Sequence, residues 1–257
     1  MTLLKVDKIT KRFGGLTAVD DFYLAIEPNE IVGLIGPNGA GKTTVYNMIT
    51  GIYTPTKNKI FFKKEDITGL KPDKIAKKGI ARTFQNIRLL NNLSVLDNVM
   101  IGTHLRLQSN LFSAIFRLPS YVKEEKELYN KSMELLKRVD LTEYAHEIAG
   151  GLPYGKQRKL EIVRALATEP QLLLLDEPAA GMNPQESREL VNFIRQIRDE
   201  FGITIFLIEH DMKVVMEICE RILVLDYGKT IAEGKPDEIK NDPEVIKAYL
   251  GVDVVNA

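Results

Sequence analysis

Gly36-Pro37-Asn38-Gly39-Ala40-Gly41-Lys42-Thr43 constrains this chain more than any other stretch, because it is a complete G-x-x-x-x-G-K-[ST]. The apolar run Ile31-Val32-Gly33-Leu34-Ile35 precedes it and is long enough for a buried strand. Thr44-Val45-Tyr46-Asn47-Met48-Ile49-Thr50-Gly51 follows and reads as a helix stopped by glycine. Strand, loop and helix in that order make the pattern a phosphate loop rather than a glycine-rich turn capping an ordinary helix. The glycines let the backbone curl so that several N–H groups point inward, and the helix start adds partial positive charge. The mechanics of the motif assign Lys42 to the β- and γ-phosphates and the Thr43 hydroxyl to Mg²⁺. The expected nucleotide-binding set is Gly36, Pro37, Asn38, Gly39, Ala40, Gly41, Lys42, Thr43 and Thr44.

At 257 residues the chain is one large domain or two smaller ones. Lysine plus arginine and aspartate plus glutamate are balanced at 35 each, so no basic stripe points to nucleic acid. The single Cys219 excludes an internal disulfide framework and a Cys-x-x-Cys metal site. The N-terminus carries no signal-peptide apolar region, and no stretch reaches the roughly 18 uninterrupted apolar residues of a membrane span. A cytoplasmic protein is expected, and any work at a membrane would require a partner that spans it.

Residues 3–13 and 18–27 read as strands, punctuated by Gly14-Gly15, and Lys59-Ile60-Phe61-Phe62 as another. These early strands around the strand–loop–helix unit point to a mixed sheet. Residues 82–85 read as a strand end. From Ser94, an N-cap with Asp97 three residues on, to about Thr168 the patterning is almost wholly helical. Segments are expected over Val95 to about Leu107, over Tyr121 to Val139, and from near Gly155. Leu111 to Phe116 is either core or an exposed docking patch. Strand rhythm then returns at Gln171–Asp176, Ile203–Ile208 and Arg221–Leu225, separated by helical segments 184–199 and 211–219, as βαβ units of a parallel sheet require. A hairpin-like turn at Tyr227-Gly228-Lys229 and a helical tail including 243–250 close the chain. No internal repeat or low-complexity tract is present. A helical block, 86–168, is thus inserted into an α/β core of residues 1–85 and 169–257.

Leu172-Leu173-Leu174-Leu175-Asp176-Glu177-Pro178 is the second strong signal. Four leucines make a buried strand, so the two acids arrive at its carboxyl end, where open α/β sheets place ligands. Asp176 suits direct or water-mediated contact with Mg²⁺, and Glu177 suits polarising an attacking water. His210 stands at the carboxyl end of a further buried strand, on the same rim. Gln85, in Arg82-Thr83-Phe84-Gln85, stands where the core ends and the helical block begins.

Phosphate loop, Gln85, a glycine-bearing helix start at 152–157, Asp176-Glu177 and His210, in that order over nearly the whole chain, resemble an ATP-binding cassette (ABC) ATPase. The resemblance implies a P-loop (RecA-like) core with an antiparallel β part and an inserted α-helical subdomain. It implies ATP and Mg²⁺ as ligands. It also implies two cassettes paired head to tail, each ATP lying between the phosphate loop of one and the signature motif of the other. By position, Phe13 in Lys11-Arg12-Phe13-Gly14 is similar to the aromatic that stacks on adenine. Gln85 resembles the residue that joins Mg²⁺ and water to the helical arm, Glu177 the general base, and His210 the switch histidine. Residues 179–183 resemble the loop that crosses to the partner cassette.

Two departures stand out. Where the family has Leu-Ser-Gly-Gly-Gln, this chain reads Leu152-Pro153-Tyr154-Gly155-Lys156, so a hydroxyl and an N–H are lost at Pro153. The crossing loop carries Asn183 where aspartate is usual. The altered signature implies pairing with a different cassette that supplies an intact signature, with a homodimer as the alternative. Leu-Pro-Tyr-Gly followed by Gln-Arg-Lys-Leu-Glu-Ile, with Asp-Glu-Pro-Ala-Ala-Gly-Met-Asn-Pro, resembles one of the two ATPase subunits of branched-chain amino acid uptake systems. That subgroup implies import, two transmembrane permease subunits, a solute-binding protein outside, and a place on the cytoplasmic face of the membrane.

Two other classes fit less well. A DNA-repair cassette needs a long coiled coil, and 121–139 is far too short; ribosome-acting cassettes are usually tandem and basic. A GTPase would want Asn-Lys-x-Asp, and Asn58-Lys59-Ile60-Phe61 lacks the aspartate and lies too early.

Overall fold

In the computed structural model, which describes residues 1–103 and 119–250, ten strands and nine helices are set in a two-part chain among the described residues. In order these are β1 (Leu4–Phe13), β2 (Leu16–Ile26), β3 (Ile31–Ile35), α1 (Lys42–Ile49), β4 (Lys57–Phe62), β5 (Glu65–Asp66), α2 (Pro72–Lys77) and β6 (Ile80–Arg82). Then come α3 (Val95–Thr103), α4 (Pro119–Arg138) and α5 (Tyr154–Leu166). The chain continues through β7 (Leu172–Asp176), α6 (Pro184–Phe201), β8 (Thr204–Ile208), α7 (Met212–Ile218), β9 (Arg221–Asp226), β10 (Lys229–Gly234), α8 (Pro236–Lys240) and α9 (Pro243–Leu250). Met1–Arg82 with the chain from Gln171 onward forms one compact unit, and Thr83–Pro170 forms the other.

The first unit holds two sheets. β2-β1-β4-β5 is antiparallel throughout. The second sheet runs β10-β9-β3-β8-β7-β6 and is parallel apart from β10. The early strands therefore do not mix with the phosphate-loop strand, as local patterning suggested. β3 lies between β8 and β9, two strands contributed from far along the chain. Its five residues are all buried, as are those of β7 and β8, which is why they read as unbroken apolar runs rather than alternating ones. Leu24, Ile26 and Phe62 of the antiparallel sheet share one cluster with Val32 and Leu34 of β3 and Val45, Met48 and Ile49 of α1. The phosphate-loop helix is thus clamped by apolar packing from both sheets.

The strand expected at 82–85 is corrected: β6 ends at Arg82, the last residue with a partner, Leu174, on β7. Beyond it the backbone carbonyls of Phe84 and Gln85 accept from a side chain instead of a neighbouring strand.

The second unit is helical. α3 opens with the expected reciprocal cap: the Asp97 amide donates to Ser94 Oγ at 3.0 Å, and the Ser94 amide lies 3.4 Å from Asp97 Oδ2. α3 packs against α4 and α5. Single 3₁₀ turns at Thr142–Tyr144 and Ala149–Gly151 and a bridge from Ser94 to Ile148 break the helical run. Leu111 to Phe116 lies outside the described residues.

Candidate active site

The phosphate loop is built by two glycines that no other residue could replace. Gly36 has φ 149°, and a Cβ there would lie 1.9 Å from the Leu225 carbonyl oxygen. Gly41 has φ 107°, and its Cβ would lie 2.5 Å from the Ala18 carbonyl oxygen. The loop is therefore pressed against β9 and β2 with no space for side chains on that side. The helix begins at Lys42, two residues earlier than the apolar pattern indicated, so Lys42, Thr43 and Thr44 form its first turn. Buried Tyr46, one turn on, donates its hydroxyl to the Phe206 carbonyl at 2.5 Å and lies 3.2 Å from that of Leu175. This ties the loop's helix to β7 and β8.

Lys42 is buried, and its Nζ donates to the carbonyls of Gly36 at 2.6 Å and Pro37 at 2.9 Å. Burial pushes its ammonium below the ordinary lysine range, while the carboxylates of Glu177 and Asp176 oppose that shift. The loop and the carboxyl end of β7 are thus within electrostatic reach of each other. Asp176 is buried and held through Oδ2 by Arg82 Nη2 at 2.6 Å, and Arg82 Nη1 also donates to Asn47 Oδ1 at 2.7 Å. A cavity of about 500 Å³ opens beside the loop at Pro37–Ala40, Asp226, Tyr227 and α9, but neither Lys42 nor the acids line it, so it is not the seat of the chemistry.

Glu177 leaves β7 with φ 46°, a left-handed backbone rare for a residue with a side chain. Its amide still donates to the Ile208 carbonyl at 2.9 Å. His210 Nδ1 stands 3.4 Å from Glu177 Oε2, and its ring is half exposed. Sequence reasoning missed buried Glu209, which joins these two strand ends. Its carboxylate accepts from the amides of Ala179, His210 and Asp211. Burial raises its pKa, and those three amides pull it back.

Phe13, at the end of β1, is 42% exposed and has Tyr53 edge-on at 5.2 Å, with Lys11 Nζ 5.0 Å above its ring. An exposed aromatic steadied by an aromatic and a cation is a ready stacking platform. In the second unit, the Gln85 and Phe84 carbonyls accept from Arg158 of α5 at 2.8 and 2.9 Å. Arg158 is fully buried and paired with Glu161 at 2.9 Å. Glu161 Oε1 also accepts from the Arg88 amide. Sequence reasoning missed this link between the Gln85 segment and the helix that follows 152–157.

Thr43, exposed on the first helical turn, and Asp176 offer oxygen donors of the kind Mg²⁺ takes. Among the described residues no group of three or more His, Cys, Asp or Glu side chains is placed to hold a metal by itself.

The ABC transporter family profile matches residues 19–180. The chain belongs to the ABC transporter family. A second profile, the branched-chain amino acid ATP-binding cassette transporter, matches the cassette over residues 229–255. The cassette is 46% identical over 249 residues to the high-affinity branched-chain amino acid transport ATP-binding protein BraF of Pseudomonas aeruginosa, covering 97% of this chain and 98% of that one. The same figures hold for LivG of Escherichia coli K12. A probable LivG of Methanocaldococcus jannaschii is 33% identical, with 98% of each chain covered. Among solved structures, a nucleotide-free cassette from an ABC transporter superposes with TM-score 0.85 at 33% identity, covering 98% of this chain and all of that one. The ADP conformation of the cassette MJ1267 gives 0.86 at 32%, with the same coverage.

Asn183 and the 152–156 stretch both have local structural roles. Asn183 caps α6, its Oδ1 accepting from the amides of Gln185 at 2.9 Å and Glu186 at 3.0 Å, and Glu186 closes the capping box. Aspartate or asparagine serves such a cap equally. Pro153 is the N-cap of α5, and just before it the Leu152 carbonyl accepts from Gln157 Nε2 at 2.8 Å. Tyr154 is exposed beside Arg158.

Proposed function

We propose that this chain is the ATP-hydrolysing subunit of an importer for branched-chain amino acids. The reading is carried by the convergence of Lys42 with the Asp176 and Glu177 carboxylates on one rim, in a chain 46% identical over nearly its whole length to ATP-binding proteins of that transport. The match at 229–255 supports the same substrate class.

ATP would lie along Gly36, Pro37, Asn38, Gly39, Ala40, Gly41, Lys42, Thr43 and Thr44, with its adenine on Phe13. Lys42 exchanges its two loop carbonyls for phosphate oxygens. Glu177 orients water and accepts its proton as the water oxygen bonds to the γ-phosphorus. The bond from that phosphorus to the bridging oxygen breaks, leaving ADP and phosphate. His210, beside Glu177, steadies the base and the γ-phosphate. Thr43 and Asp176 would hold Mg²⁺, which when bound would neutralise charge on the phosphate oxygens. Residues 86–168 serve as the arm that carries the signature and reports the γ-phosphate to transmembrane permease subunits, through Gln85. Pro153 and Tyr154 in the signature favour pairing with a non-identical cassette. A solute-binding protein would act only indirectly. The chain would sit peripherally on the cytoplasmic face; no helix among the described residues is long and apolar enough to cross a membrane.

The test is Glu177→Gln in the assembled transporter, read by ATP binding, ATP hydrolysis and leucine uptake. Binding should persist, while hydrolysis falls at least about a hundredfold and uptake falls with it. Turnover equal to the parent would overturn the assignment.

A further inference from the structure

We propose that Glu209 is a positioning residue for ATP hydrolysis, holding the loop after Glu177 and the loop of His210 in one register. The proposal rests on the reading of Glu177 and His210 as the hydrolytic pair and adds a residue that this reading does not use.

Glu209 is 1% exposed, and among the described residues no lysine or arginine pairs with it; the charged contact it has is the His210 ring, Nδ1 lying 3.8 Å from Oε2. A carboxylate placed so would be costly unless its oxygens were satisfied. They are satisfied from two different loops. Oε1 accepts from the Ala179 amide at 2.8 Å, two residues past the base. Oε2 accepts from the His210 amide at 3.1 Å and lies 3.4 Å from that of Asp211. The two carboxylate oxygens are a fixed distance apart in one rigid plane. That plane sets the spacing between the ends of β7 and β8 beyond their last paired residues, Asp176 and Ile208. The 3.4 Å separation of His210 Nδ1 from Glu177 Oε2 is the consequence at the reacting end. Glu177 needs such external support, because its left-handed backbone is not one it would adopt unaided. Glutamine at 209 would fill the same volume but present N–H to one of the two loops, where another N–H already points, and would release that loop.

The test compares the full chain in its transporter complex with Glu209→Gln, His210→Ala and the double variant, using ATP with Mg²⁺. Glu209→Gln should lower kcat by about tenfold or more, the scale of a displaced catalytic group, with the KM for ATP within about twofold. The double variant should be slowed by less than the product of the single effects, because both changes act on one arrangement. A kcat within about twofold of the parent overturns the proposal. So does a fall in kcat matched by lost nucleotide binding, which assigns Glu209 to general structure. A His210→Ala chain that hydrolyses like the parent removes the reading beneath the proposal, an outcome distinct from a silent Glu209→Gln. Should Glu209→Gln not fold, amide hydrogen exchange on the parent decides. Protection of Ala179 and His210 comparable with β8 supports the clamp, and exchange at the rate of open loops overturns it.

Discussion

Lys42 has two partners in the structure, the carbonyls of Gly36 and Pro37, and neither is its partner in the proposed reaction. The ammonium bonds to the loop's own backbone, and in the proposed reaction phosphate oxygens take the place of those acceptors. Lys42→Ala should weaken ATP binding by about ten- to a hundredfold, the worth of a hydrogen bond to a charged group, measured as a dissociation constant by calorimetry. An unchanged constant would contradict the phosphate-loop reading. The loop was legible because its requirements are local: glycines at fixed offsets, then lysine and a hydroxyl. Asp176 and Glu177 were legible because an apolar strand delivers whatever follows it to the rim. Arg82 and Glu209 were not, because what defines them is a partner 94 and 30 residues away, respectively. An arginine after a short strand and a glutamate before a histidine carry no local pattern that distinguishes them from surface residues.

Among elements, the buried strands and the longer amphipathic helices follow from periodicity, and the cap at Ser94 from residue type; the cap at Asn183 was not read from the sequence. Sheet membership does not, since β3 takes as neighbours two strands from beyond residue 200. The short helices α2 and α8 hold too few apolar positions to show a period. α5 illustrates how an element is held by a charge. Arg158, fully buried, bonds Glu161 and the carbonyls of Phe84 and Gln85, so three backbone or side-chain acceptors depend on one guanidinium. Arg158→Ala should destabilise the protein by about 3–5 kcal/mol, the cost of leaving a buried carboxylate unpaired. Denaturant unfolding measures it, and a loss below about 1 kcal/mol, the worth of an exposed pair, would show that the bonds carry little weight.

For the whole molecule, the proposed reading assigns the membrane crossing to permease subunits, and no helix among the described residues is long and apolar enough to cross a membrane. The altered signature at Pro153 and Tyr154 bears on which cassette pairs with this one. Glu177→Gln with ATP and Mg²⁺, sized by light scattering, should stay largely monomeric without its partner, since two altered signatures would face two intact phosphate loops. A tight homodimer filled with ATP would count against obligatory pairing with a different cassette. The central claim, that this ATPase drives an importer, is tested most directly by purifying the chain from its native membranes in gentle detergent and identifying what comes with it. The account predicts a second, different cassette and two multi-span membrane proteins; a soluble partner, ribosomes or DNA in their place would contradict it.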